Sequence, residues 1–368
     1  GVGATRGGEN RMTDLMASDD VRGAFANQIA YCRANEAPLT ARVVEAVLAN
    51  IDAPGAFVAA LRDWPGKPVA DALPLRAAGA LHALHLSGAE PTLAPLYAQD
   101  SAAFADAEAL VGTAIARHDA ALLPWLDGPP QTNEAGRSAS YAAALAWLVA
   151  HGLSPRFEGI EIGSSAGINL MMDRYRYVLG GVAMGAAEPA MTIEPAWRGP
   201  PPPHASWTIE TMRGCDVEPL DLTDAGQLMR LRAYVWPEHR VRFERLERAA
   251  QAARERAPDL VRADAAEFVA EALARPQAAG TTRVLMHSIV WQYLGAERQA
   301  AITETMEAAG GAATPDRPLA WIALETNRAT FQHELTVRHW SGRGREDGAP
   351  VMLAHAHAHG AWVEWLGA

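Results

Sequence analysis

At Pro155 the chain changes period, and no other feature restricts its fold as strongly. Before that point apolar residues recur every three or four positions, as in Val21, Phe25, Ile29 and Cys32, and again in Val43, Val47 and Ile51. This is the spacing of helices that bury one stripe. Pro38, Pro54, Pro65, Pro74, Pro91 and Pro95 punctuate these runs, as proline does at helix starts and turns. No β alternation precedes Phe157. After Pro155, strand-like runs at 157–162, 206–212, 260–262, 283–290, 319–324, 335–340 and 351–365 alternate with amphipathic stretches at 224–256, 265–274 and 296–309. Such alternation predicts an α/β fold with a mostly parallel sheet covered on both faces. The last two strand runs, joined by a glycine-rich turn at 341–349, predict a C-terminal antiparallel hairpin. Residues 180–203, rich in Pro and Gly, predict an insertion near the mouth of the sheet. The expected layout is an all-helical N-terminal domain over 18–150, acting as a cap, and an α/β domain over 151–368. Residues 1–17 read as leader or disordered.

Composition narrows the function. With 368 residues, 49% of them hydrophobic, the chain can bury a sizeable core. A formal net charge of −11 argues against a general nucleic-acid or anionic-membrane binder, both of which need basic surface. Cys32 and Cys215 are the only cysteines and form no CxxC, so neither a disulfide framework nor a structural zinc site is indicated. No apolar run approaches the roughly 20 residues that span a bilayer, and the N-terminus lacks the order of a signal peptide. The expectation is a cytoplasmic protein with a small-molecule substrate; the oligomeric state stays open.

The most informative stretch is Phe157-Glu-Gly-Ile-Glu-Ile-Gly-Ser-Ser-Ala-Gly-Ile-Asn-Leu170. An apolar strand ends in a Gly/Ser turn that leads into an expected helix, which would present bare amides and the positive end of a helix dipole to a ligand. Gly163 permits the sharp turn, and Gly167 permits close approach. The stretch resembles the first motif, E-x-G-x-G-x-G, of class I S-adenosylmethionine-dependent methyltransferases, with Ser165 in place of the middle glycine. That resemblance implies a Rossmann-like, methyltransferase-type sheet and S-adenosylmethionine as cofactor. Glu161, Gly163, Ser164, Ser165 and Gly167 would hold it, Glu161 through the cofactor's amino group. Asp264, between a short strand and a helix, resembles the same family's acid near adenine. Asp216 resembles its ribose-binding acid, displaced along the chain by the 180–203 insertion. Each acid also reads as a helix cap or a solvated helix start.

A second resemblance spans nearly the whole chain. Gln-Thr-Asn-Glu-Ala-Gly-Arg at 131–137, the motif at 161–177, Arg-Gly-Cys-Asp-Val-Glu-Pro-Leu-Asp at 213–221 and His-Ser-Ile-Val-Trp-Gln-Tyr-Leu at 287–294 resemble the bacterial family DUF2332. It favours a substrate-binding role for Thr132, Asn133, Glu134 and Arg137 over a capped surface loop. His287, ending an apolar strand, is a candidate general base, with a satisfied core histidine as the alternative. Tyr293 stands near it as a second catalytic candidate. Arg174, beside Arg176, suits an anionic substrate because its guanidinium fork matches carboxylate and phosphate; a helix-surface ion pair is the alternative. Tyr175 with Tyr177, and Trp291 with Tyr293, would lie on different faces of helices.

Other readings compete. Gly163 to Gly167 also satisfies G-x-S-x-G, the nucleophile elbow of α/β-hydrolases, with Ser165 as nucleophile and Glu325 and His359 following in order. Against it, helices rather than strands precede the elbow, and Glu158 and Glu161 would oppose a developing oxyanion. A dinucleotide site lacks its glycine spacing and its acid. His355, His357 and His359 would share one face of a strand and could ligate a metal, but polar alternation in an edge strand gives the same pattern, and no metal is expected. The expected function is methyl transfer from S-adenosylmethionine to a small polar or anionic molecule, with a non-catalytic binding protein as a further alternative.

Overall fold

The computed structural model describes residues 20–344 and 347–368, so the 1–17 segment lies outside the described residues. The chain forms two compact units. One comprises the residues up to 132 together with 226–243, and the other comprises 133–225 and 244–368.

The first unit is helical, with α1 (Val21–Ala34), α2 (Pro38–Ala49), α3 (Ala56–Arg62), α4 (Leu73–Leu86) and α5 (Ala107–Arg117) as its main elements. Side chains close their open amides, as helix starts require. Asp20 accepts from Gly23 N at the start of α1, and Asp119 accepts from Ala56 N and Phe57 N at the start of α3. Glu238 accepts from Thr40 N and Thr40 Oγ1, both at 2.7 Å, at the start of α2. Phe25, Val43 and Val47 fill the core along the expected stripes, joined by Phe57, Leu61, Leu81 and Val111. The 226–243 segment belongs here because Tyr234 packs against Gly79, where a Cβ would lie 2.5 Å from the ring, and His82 Nδ1 meets Ala233 O at 3.0 Å.

The second unit opens with α6 (Ser138–Ala150), which periodicity alone assigns to the N-terminal helices. Every residue from Ser138 to Leu148 is buried. A helix apolar all round must be covered on all sides, and α6 packs on the sheet. The strands are β1 (Arg156–Ile162), β2 (Tyr175–Leu179), β3 (Val182–Gly185), β4 (Met191–Ile193), β5 (Ala196–Arg198), β6 (Thr208–Asp216), β7 (Leu260–Arg262), β8 (Thr282–Ser288), β9 (Leu319–Thr326), β10 (His333–Trp340), β11 (Val351–Ala356) and β12 (Trp362–Trp365). Nine of them form one sheet in the order β5-β12-β11-β10-β9-β8-β1-β6-β7. β7, β6, β1, β8 and β9 are parallel, and β10, β11 and β12 continue antiparallel. The fold is therefore α/β with a large, mostly parallel sheet. The later helices are α7 (Ala225–Tyr234) and the start of α8 (Arg240–Glu255), which belong to the first unit, and the rest of α8, α9 (Ala265–Ala274) and α10 (Ala296–Gly311) in the second. Phe268 and Val269 of α9 and Ile302 and Met306 of α10 pack with Ile160, Ile162, Leu285 and Trp321 on the face opposite α6.

Several elements depart from expectation. The helix expected after Gly167 is a seven-residue 3-10 segment, Ile168–Arg174, followed at once by β2. Tyr175 and Tyr177 therefore sit two apart in a strand and share a face. Both are fully buried, and their hydroxyls donate to Ile168 O and Met172 O at 2.7 Å. Residues 180–203 supply β3 and β4, which join β2 in a separate three-stranded sheet, and β5, which extends the large sheet beyond β12. The 351–365 run is two strands. No helix among the described residues is long and apolar enough to cross a membrane.

Candidate functional site

Chain order fixes where a site can lie. From β1 the chain adds β6 and then β7 on one side, and returns to add β8 and β9 on the other. Open α/β sheets bind ligands at such a reversal, at the carboxyl ends of the two central strands, here β1 and β8. Glu161 stands at that end of β1, in register with Met286 of β8 and turned toward α6. It is 2% exposed. The Tyr141 hydroxyl donates to Glu161 Oε2 at 3.0 Å, while Oε1 is buried with no hydrogen-bond partner. Burial pushes the Glu161 carboxyl up to about 7, against the lowering effects of the Ser164 and Tyr141 hydroxyls and the Arg137 charge. Burial, with the Glu161 charge added, also holds the Tyr141 phenol well above its ordinary range, and Ser288 hydrogen bonds to it.

The glycine turn is built differently from the expectation. Gly163, Ser165 and Gly167 all have positive φ, at 66°, 52° and 78°. Its amides are bonded within the chain. Ser164 N donates to Cys215 O at 2.9 Å, Ser165 N to Asp216 Oδ2 at 2.9 Å, and Gly167 N to Ser164 O at 2.8 Å. Ala166 N and Ile168 N both donate to Asn133 Oδ1, at 3.2 and 3.1 Å. The bare-amide cradle is thus corrected: Asn133 and Asp216 occupy it, and the short 3-10 segment brings little dipole. Asn133 is a cap for this turn rather than a free substrate contact. Asn133→Ala is expected to destabilise the chain by about 1–3 kcal/mol, the cost of stranding buried donors, and Asn133→Asp to recover most of it, both read from urea midpoints.

At the end of β8, His287 is 1% exposed, with Nδ1 2.7 Å from Glu325 Oε1 and Nε2 accepting from Trp321 Nε1 at 2.8 Å. An indole only donates, so Nε2 accepts and Nδ1 carries the hydrogen offered to Glu325. With both nitrogens committed, the general-base assignment gives way to a buried positioning role. Glu325 also accepts from Val290 N and Trp291 N. It thereby pins Ile289, a β-branched residue at φ 48° and so in a strained conformation. Tyr293 is 74% exposed and outside this cluster.

The remaining candidates are placed as follows. Arg174 Nη1 donates to Ala252 O and Arg256 O, at 2.9 and 2.6 Å. It closes the end of α8 instead of receiving a substrate anion, as a cation does at orphan carbonyls. Asp264 caps α9 through Glu267 N and pairs with Arg298, leaving the capping alternative in force. Arg137 and Glu134 are buried, Arg137 Nε donating to Ala358 O at 2.8 Å and Glu134 lying 3.7 Å from His359 Nδ1. Thr132 is exposed and ends the other unit. Glu325 engages His287 and His359 neighbours Glu134, so the acid and histidine of the hydrolase order are not paired with each other. β11 ends at Ala356, which puts His357 and His359 in a turn rather than on a strand face. Among the described residues no group of three His, Cys, Asp or Glu could hold a metal.

The structure adds Tyr141 to the site and puts Glu325, read from the sequence only as a hydrolase acid, beside His287. Tyr141 is signalled in the sequence as the one phenol inside Ser-Ala-Ser-Tyr-Ala-Ala-Ala-Leu, and Glu325 as the acid that ends an apolar strand. No curated protein and no solved structure matches the chain. The family described as an uncharacterized protein conserved in bacteria (DUF2332) matches residues 22–365, which include every site residue above. Across both units, then, the chain belongs to the DUF2332 family.

Proposed function

We propose that the second unit binds S-adenosylmethionine at the carboxyl ends of β1 and β8 and transfers its methyl group to a small polar or anionic molecule. Counted along the chain, the five parallel strands run in the doubly wound order 3-2-1-4-5, an order that binds nucleotide-like ligands at its reversal point. The observation that carries the reading is Glu161, a buried carboxylate at that point with one oxygen unanswered by the protein. A buried carboxylate oxygen without a partner calls for a cation or a proton, and the cofactor offers an ammonium and a sulfonium. Glu161 would hold the cofactor, with Asp216 on the adjoining strand, since each Asp216 oxygen retains acceptor capacity beyond its amide bond. The turn amides do not fit this role, being already bonded. When bound, the cofactor supplies an electrophilic methyl; the chain's own task is to align the acceptor and exclude water.

Binding without chemistry is the second reading, favoured by a turn filled with the protein's own side chains. Calorimetric titration with S-adenosylmethionine and S-adenosylhomocysteine tests the cofactor. Heat with both supports the proposal, and Glu161→Gln is expected to weaken binding at least about tenfold through loss of a charge-assisted contact. Silence with both overturns it, and labelling of Ser165 by a fluorophosphonate would favour the serine hydrolase instead.

A further inference from the structure

No cation of the described residues pairs directly with Glu161. Among the described residues no Lys, Arg or His forms an ion pair with it; Tyr141 answers Oε2, and Oε1 has no partner. The charged and titratable groups around it come from several elements. The Ser164 hydroxyl and the charge of Arg137, ahead of α6, favour the carboxylate, the Arg137 Nε being bonded to Ala358 O, and Asp216 of β6 opposes it. Tyr141 of α6, Tyr175 of β2 and Cys215 of β6 are all held protonated by burial, and Glu325 of β9 adds negative charge near Tyr141. The balance is a pocket short of positive charge around one buried carboxylate.

We infer that Glu161 holds a proton on its unpaired oxygen in the free protein and surrenders it when the cationic cofactor takes that place, so that ligand binding and proton release are one event. The exchange is balanced: the carboxyl O–H bond breaks, the proton passes to the buffer, and the carboxylate keeps the cofactor's positive charge beside it. Tyr141 fixes which oxygen is free, because its hydroxyl occupies the other. The carboxyl value of about 7 puts the transition near neutral pH. Below it the ligand competes with a proton, so affinity falls about tenfold for each pH unit; above it the Glu161 contribution is level. This inference rests on the cofactor proposed above.

The test is calorimetric titration of the intact chain with S-adenosylmethionine in phosphate and in Tris, at about pH 6 and about pH 8.5, where the two ionisation states of a group near 7 dominate. The expected difference between buffers corresponds to nearly one proton released at the lower pH and almost none at the higher. The ligand's own amino group titrates in the same region, so Glu161→Gln provides the reference, and its binding should show only the ligand's own contribution, without the proton released at the lower pH. Tyr141→Phe removes a donor to the carboxylate and should move the transition to higher pH. Binding with no proton release at the lower pH, or release undiminished in Glu161→Gln, overturns the inference. If S-adenosylmethionine gives no heat, the methyl-transfer reading fails and infrared difference spectra decide the ionisation separately. A carboxylic-acid band present at the lower pH, lost at the higher and missing in Glu161→Gln, upholds the stored proton; its absence refutes it.

Discussion

Gly163→Ala is expected to destabilise the second unit by about 2–5 kcal/mol, a large share of the stability of a marginal domain. Two terms combine. A non-glycine residue at φ 66° costs about 1–2 kcal/mol in the left-handed region. The new Cβ would also lie 2.4 Å from Val290 Cγ2 and 2.8 Å from its Cβ, an overlap that costs about 1–3 kcal/mol when a packed site must shift. Gly181 separates the terms, because it has φ 86° with nothing within 4 Å of an added Cβ. Gly181→Ala should show the backbone term alone, about 1–2 kcal/mol. Adding Val290→Ala to Gly163→Ala should recover part of the packing term. Urea midpoints with unchanged slopes measure all three. Equal losses at Gly163 and Gly181 would mean that Val290 does not press on the turn.

Glu325→Ala should cost about 1–3 kcal/mol, the penalty for leaving hydrogen-bond donors without their acceptor. The carboxylate answers His287 Nδ1–H, Val290 N and Trp291 N together, and its loss strands all three. Ile289 would then have less to hold it in its strained conformation. Glu325→Gln keeps one acceptor oxygen and should lose less. Amide exchange at Val290 and Trp291 should quicken in Glu325→Ala beyond the global loss of stability, because the opening is local. Unchanged exchange at these amides would show that Glu325 does not pin the segment.

Local signals carried most of the architecture. The helix over Ala265–Ala274 follows from Asp264 as its cap and an amphipathic repeat, and β7 and β8 follow from short apolar runs after turns. Glu161 was legible because an acid that ends a buried strand before a glycine has few structural reasons to be there. What the sequence hides are bonds between distant residues. Asn133 reaches amides 33 and 35 positions away, and Glu325 reaches a histidine 38 positions back; nothing local marks either. Arg174 looked like an anion receptor because a guanidinium fits carboxylate and backbone carbonyls alike, and only the end of α8 decides between them. Tyr175 and Tyr177 misled because the helix expected to contain them stops at Arg174 and becomes a strand. α6 was grouped with the N-terminal helices because helical periodicity is silent about which core a helix enters.

The central claim is that an adenosyl cation sits where β1 and β8 part, against Glu161. A crystal structure grown with S-adenosylhomocysteine tests it most directly. The expected result is density over the carboxyl ends of β1, β6 and β8, with the ligand's amino group within hydrogen-bond reach of Glu161 Oε1 and its ribose near Asp216. Density elsewhere on the chain, or a ligand present with Oε1 still unpartnered, would contradict the account.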